Sequence, residues 1–253
     1  MVAKDPRNKV SSSGSFGLSV IILLAAFSCA RGQGTGPLAG LGFQVSAFAD
    51  FTTSARVYTA PRDQDPFISS FYNGLGGFIS AGGDVRVILS RSETVGLTLQ
   101  SLNSTQTVNT IYGYDPDGSY VGVPVRDGFN LWLLELNGYF NIPIVSGRWN
   151  IYLGGGPGFY FGRRNLQIGN DAANTPYVAA FGIQVEAGAS FKFADRWGMR
   201  SEMKFRSPEF STTSTFNASS TTYQGVQVTL PETLYGKVDV DGTDFTLGVF
   251  YEF

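Results

Sequence analysis

After residue 41, bulky apolar residues recur at every second position along most of this chain. Segment 41–51 places Leu41, Phe43, Val45, Ala47, Ala49 and Phe51 on one face, with Gln44, Ser46, Phe48 and Asp50 on the other. The same period runs through 75–89, 94–101, 130–142, 149–161, 177–193, 197–206 and 244–253. A period of two is the spacing of a β-strand with two unlike faces, so the pattern predicts eight strands. In 177–193 the apolar face is unbroken from Tyr177 to Phe193, while Gln184, Glu186, Ser190 and Lys192 stand opposite.

The connections alternate in length. "SRSE", "PIVSGR" and "ADR" are tight turns after the second, fourth and sixth strands. The other four, near 56–73, 110–123, 163–176 and 207–240, are long and polar, and "TTYQGVQVTL" reads as a protruding hairpin. Short turns on one side and long loops on the other predict an all-β fold: an eight-stranded antiparallel up-and-down transmembrane β-barrel.

Alternation alone also fits a secreted lipocalin-like lipid-binding barrel, whose apolar face points inward, or a water-soluble β-sandwich. The membrane reading is preferred because one face is bulky and aromatic and the other is small, glycine-rich and charged. Trp132, Trp149 and Trp197 stand near strand ends, where interfacial aromatic anchors sit. The inward phase carries Asp84, Arg86, Glu135, Glu186, Lys192, Arg200, Glu202, Lys204 and Asp244. Buried charges are costly unless paired, so these residues are expected to form a lumen charge network. Keeping faces in phase across "ADR" requires paired residue numbers with an even sum. One register sets Glu186 opposite Lys204 and the next sets it opposite Arg206. Tyr139, Tyr152, Tyr160 and Phe250 fall on the same face and are expected to fill the interior.

Composition sharpens this picture. The 253 residues include 32 Gly, 21 Phe and 12 Tyr, 15% are charged, and the net charge is −2. Such a balance offers no basic surface for nucleic acid. The chain has no histidine, which removes the base of Ser-His-Asp and Cys-His systems and the commonest metal ligand. Lys4, Arg7 and Lys9 precede the apolar run 16–30, the pattern of a secretory signal peptide over residues 1–32. Cleavage after Ala30 or after Gly32 fits a small-x-small rule and removes Cys29. Lipidation of Cys29 is the alternative, against which Ala26-Phe27-Ser28 is a poor lipoprotein motif. Residues 33–40 then form a short N-terminal segment and 41–253 the barrel domain.

The final strand, "DFTLGVFYEF", resembles the C-terminal recognition strand of bacterial outer-membrane barrels, with Phe245, Leu247, Val249, Tyr251 and Phe253 at the apolar and aromatic positions. "YLGGGPGFYFG" and "GIQVEAGASFKFADRWGMRSEMKFR" are similar to the fifth to seventh strands of OmpA-like and OmpW-like small barrels. The resemblance implies placement in the outer membrane, periplasmic termini, extracellular long loops and a monomer in lipid. It also implies that the barrel-assembly machinery reads the last strand by edge pairing. The role it implies is non-enzymatic: structural, adhesive or interacting with an extracellular partner through the loops. The alternative it offers is a narrow, OmpW-like channel for small or apolar solutes. Enzymatic barrels of this kind are expected to use histidine, which is missing. "GGGPG" lacks the Gly-Lys-Ser/Thr of a phosphate loop and reads as an inward face needing small side chains. Asp115 with Asp117, and Asp239 with Asp241, could bind calcium or simply form turns. No cofactor or catalytic residue is expected.

Overall fold

The computed structural model describes residues 41–114, 116–142 and 147–253. The signal peptide expected over 1–32, Cys29, the segment 33–40 and Asp115 lie outside them. Eight strands form the wall: β1 (Gly42–Thr52), β2 (Phe78–Ile88), β3 (Glu93–Tyr114), β4 (Tyr120–Ile142), β5 (Trp149–Ile168), β6 (Val178–Lys192), β7 (Trp197–Arg206) and β8 (Thr243–Glu252). Each pairs antiparallel with its neighbours in sequence, and β8 pairs with β1, closing the ring. Over the span that the eight strands share, none is left with an unpaired edge, which a hydrocarbon environment demands.

The faces follow the alternation. Phe181, Ile183, Leu153, Leu247 and Phe140 point outward and are exposed, whereas Asp84, Glu135, Tyr160 and Phe250 point inward and are buried. A lipocalin-like barrel would have the opposite arrangement. Tyr139 lies against Gly154, Tyr152 against Gly188, Tyr160 against Gly182 and Phe250 against Gly198, each on a neighbouring strand, and Tyr160 also covers Gly158 of its own strand. The "GGGPG" stretch thus provides floor space for inward rings.

Several boundaries depart from the pattern. Segment 75–89 breaks at Gly76–Gly77, and Leu75 ends a separate short strand, Tyr72–Leu75, with its side chain buried. β3, β4 and β5 run well past the expected strand ends, so Arg163–Ile168 is wall rather than loop. The long connections are not merely polar extensions. Glu209–Thr215, Thr233–Asp239, Ala55–Tyr58 and Tyr72–Leu75 form a four-stranded sheet, joined by the short helix α1 (Pro66–Ser69). Ser220–Tyr223 and Val226–Thr229 make the expected hairpin, turned by Gln224 and Gly225 at φ 48 and 83. Two successive positive φ values favour Gly at the second position.

This cap has its own apolar packing. Val57, Leu75, Phe210, Val238 and Val240 pack on Leu102, Phe129, Leu131, Leu133 and Tyr160 of the upper wall. A second cluster joins Val123, Val125, Leu166 and Ile168 to Phe216, Val226 and Leu230. Inward residues beyond the ionic zone are therefore mostly apolar where the folded loops cover them, the buried Asp127 and Arg164 pair apart.

If ring-on-glycine packing sets the wall, Gly188→Val should displace Tyr152, whose ring comes within 2.4 Å of the added Cβ. A cost of roughly 1–3 kcal/mol is expected for such overpacking. Gly138→Ala, with nothing within 4 Å of its Cβ, should be near neutral. Urea unfolding in detergent, read by heat-modified gel migration, compares the two; equal midpoints would contradict the packing.

Candidate functional site

Strand phase delivers the inward charges, and register decides which ones meet. β6 and β7 pair with Glu186 opposite Lys204, so the alternative that put Glu186 opposite Arg206 is excluded. The interior then divides into layers.

The layer nearer the short turns is built on Asp84. Arg86 reaches Asp84 at 2.9 Å and Glu202 at 2.5 Å, and Arg200 reaches Asp84 at 2.7 Å. Ser46 donates to Asp84 at 2.8 Å, and the Tyr152 hydroxyl donates to Glu202 at 2.5 Å. The Arg86 guanidinium lies 3.9 Å from the centroid of the Tyr139 ring and 5.3 Å from that of Tyr152. A planar cation between two aromatic faces loses less on leaving water than a naked charge.

The next layer is built on Glu135. Lys204 contacts Glu135 at 2.9 Å and Glu186 at 3.5 Å. Arg206 contacts Asp244 at 2.6 Å, Glu135 at 3.2 Å and Asp50 at 3.5 Å. Gln100 and Thr246 donate to Asp50 at 2.8 and 2.5 Å, and Gln184 donates to Asn137. Above both layers, Arg164 grips Asp127 through two hydrogen bonds of 2.7 and 2.6 Å, and Asn73 from the cap adds a third at 3.2 Å.

Of the nine charges expected inside, eight are buried in the barrel. Lys192 is not among them. Its ammonium sits at the turn-side rim, partly exposed, on Glu252 at 2.8 Å, because β6 ends there. Asp50, Asp127 and Arg164 belong to the interior but were not among the expected network residues, and Arg206, expected only as the alternative partner of Glu186, belongs there too. Each follows inward parity; Asp127 precedes the expected start of its strand at 130, and Arg164 lies in the stretch 163–176 expected to be loop. Among the described residues the two main layers hold six carboxylates (Asp50, Asp84, Glu135, Glu186, Glu202, Asp244) against four cations (Arg86, Arg200, Lys204, Arg206). Glu186 is the poorly matched one, sharing Lys204 with the closer Glu135.

Of the acidic loop pairs, Asp241 is bound by Arg56 at 2.9 Å. Burial and the neighbouring Asp241 push the Asp239 carboxyl up from its usual range.

The outer face carries two aromatic zones. Trp149 meets Phe191 at 4.8 Å, and Trp197 meets Tyr251 at 5.0 Å, which in turn meets Phe253 at 4.8 Å, all at the short-turn end. Trp132, Phe161 and Tyr177 mark the other end, Phe161 stacked on Tyr177 at 4.9 Å. From Trp149 to Phe161, at about 3.3 Å per residue and a tilt of about 40°, β5 climbs about 30 Å, the thickness of a bilayer core. In the last strand, Phe245, Leu247, Val249 and Phe253 are exposed on the outer wall while β8 bonds to both β1 and β7.

A closed ring of eight strands, charged within and banded by apolar and aromatic residues without, defines a small transmembrane β-barrel. No protein-family model matches the chain, and no curated protein does. Solved structures of bacterial outer-membrane β-barrel proteins are similar to it. The outer membrane protein OprG from Pseudomonas aeruginosa shares 12% identity, with 85% of this chain and 96% of that chain covered and a TM-score of 0.49. Neisserial surface protein A shares 12%, covering 83% and 97%, with a TM-score of 0.41. The outer membrane protease OmpT from Escherichia coli shares 8%, covering 86% and 98%, with a TM-score of 0.46.

The unequal sharing of Lys204 separates two carboxylates on one cation. Glu135→Gln should cost roughly 3–5 kcal/mol, since it strips a close partner from both Lys204 and Arg206. Glu186→Gln should cost much less, because Lys204 keeps Glu135. Denaturant midpoints in detergent give the comparison, and an equal or reversed order would refute the assigned partners.

Proposed function

We propose that this protein is a non-enzymatic, monomeric outer-membrane barrel with a closed interior, working through its lipid-facing wall and its folded cap. Periplasmic termini and an extracellular cap complete the reading. The observation that carries it is the series blockage of the interior. Ion-paired layers around Asp84 and Glu135 fill one part, and the apolar plug of Phe129, Leu131, Leu133 and Phe210 fills the next. Every carboxylate of the two ionic layers is paired with a cation and the chain has no histidine, which supports a role without catalysis. Exposed Phe67, Ile68, Phe71 and Tyr72 on the cap support interaction or adhesion through the long connections.

Phe245, Leu247, Val249, Tyr251 and Phe253 would serve the assembly machinery before β8 takes its place between β1 and β7. Trp132, Trp149 and Trp197 would anchor the barrel at the two interfaces.

Planar-bilayer recordings on the folded protein test the closed interior. No stable single-channel current is expected, and reproducible currents of porin size would restore the narrow-channel reading. For the terminal strand, Phe253→Asp should lower the yield of folded protein in the outer membrane and leave unfolded chain in the periplasm. The charge would lie at the lipid boundary, where it disfavours insertion. Wild-type yield from cell fractionation would remove the assembly-signal role.

A further inference from the structure

On the outer wall, just beyond the apolar band, β3, β4 and β5 line a cavity of about 470 Å³ together with residues 172–175. Its place along the wall is set by the girdle. Arg163 follows Phe161 by one outward step, and Asn130 precedes Trp132 by one, so the cavity opens where the aromatic zone ends. The wall is held by pairing. Asp171–Ala172 bonds back to β5, and Asn174 exchanges backbone hydrogen bonds of 2.8 and 2.9 Å with Thr215 of the cap.

The chemistry of the lining is one-sided. It contains Arg126, Arg163 and Arg164 and no carboxylate. Arg164 is spent on Asp127. Arg126 and Arg163 have no ion-pair partner among the described residues. Arg163 leans over the Tyr177 ring at 4.9 Å, which fixes its plane beside the girdle. Its Nε and the Oδ1 of Asn130 are buried without a hydrogen-bond partner. Native proteins pair nearly all such atoms, so both have bonding capacity left that a ligand group or water would take. Asn103 and Asn165 add further amides.

Two unneutralised guanidinium groups suit phosphate, which arginine binds through its planar fork. Neighbouring amides suit sugar hydroxyls. A site of both kinds at the bilayer surface matches one occupant. We propose that this cavity holds the phosphorylated sugar headgroup of a glycolipid in the surrounding leaflet, with Arg126 and Arg163 on phosphate and the asparagines on the sugar. The proposal rests on the outer-membrane placement given above, with the cap outward.

The folded protein in phosphatidylcholine nanodiscs provides the test, with bisphosphorylated lipid A added as the probe and bound lipid counted by native mass spectrometry. Wild type should retain bisphosphorylated lipid A at least tenfold better than the dephosphorylated lipid. The Arg126→Gln/Arg163→Gln pair should lose that preference, while Lys237→Gln on the cap keeps it. Equal retention of the two lipids by wild type overturns the proposal, and that comparison needs no variant to fold. An unchanged preference in the double variant overturns it too. Competition by inorganic phosphate at equal concentration would make this a site for the free ion and overturn the lipid assignment. Failure of the wild type to co-purify with disc lipid would instead strike the membrane placement, and the proposal with it.

Discussion

Eight strands closed into a ring leave an interior that side chains just fill, and this narrowness governs the rest of the molecule. Such a space is too small for bulk water, so an inward charge finds its counter-charge on its own strand or across the ring. Glu135 on β4 meets Lys204 and Arg206 on β7, and Asp84 on β2 meets Arg200. The same narrowness packs the inward tyrosines over glycines, and Tyr139 and Tyr152 also meet edge to face at 5.6 Å. On the outside the demand is inverted, and over about 30 Å the wall shows lipid mostly apolar and aromatic side chains.

Along its axis the barrel changes character. The end near the short turns is ionic and the end under the cap is apolar, with Tyr160 at the junction. The cap grows from the wall. After Arg206 the chain re-forms as strand at Glu209, and the strand ending at Asp239 leads into β8, with Val240 bonding to Pro208 at 3.1 Å. A sheet built as a continuation of two wall strands needs no separate domain core, and it seals the lumen with the residues that begin and end it.

Much of this was legible before any coordinates. Strand number, faces and the identity of the inward tyrosines follow from a period of two, because lipid and a charged interior impose opposite chemistry on alternate residues. Parity could not choose between neighbouring even registers of β6 and β7. The choice is made by the "ADR" turn, where Phe193 and Ala194 both donate to the Trp197 carbonyl at 3.2 Å. Asp50 escaped notice as a network member because it stands near a strand end, where water would be expected to solvate it, and Arg206 was expected only as the partner of Glu186 in one register. The cap keeps that water away. Asp127 was hidden by its place before the expected start of its strand, and Arg164 by polar composition that read as loop. Their signal was the inward parity of Phe129, Leu131 and Tyr160 continuing without a break. The folding of the long connections was the least legible feature, since its apolar residues are scattered among Ser and Thr and meet only in three dimensions.

The sequence separation of the interior contacts has a consequence for how the molecule forms. Arg200 and Asp84 are 116 residues apart, as are Arg86 and Glu202, while Arg206 and Asp50 are 156 apart. None of these pairs can exist in a partial sheet of the first few strands. Until β7 curls round to face β2 and β4, Arg86 and Asp84 would have only each other and Glu135 would lack both of its cations. An intermediate threaded halfway into hydrocarbon would therefore carry incompletely paired charges, each disfavoured. Long-range contacts of this kind slow folding and couple the strands into one event. Insertion and closure should then occur together, with the ionic layers acting as a latch that engages only when the last turn of the ring is made.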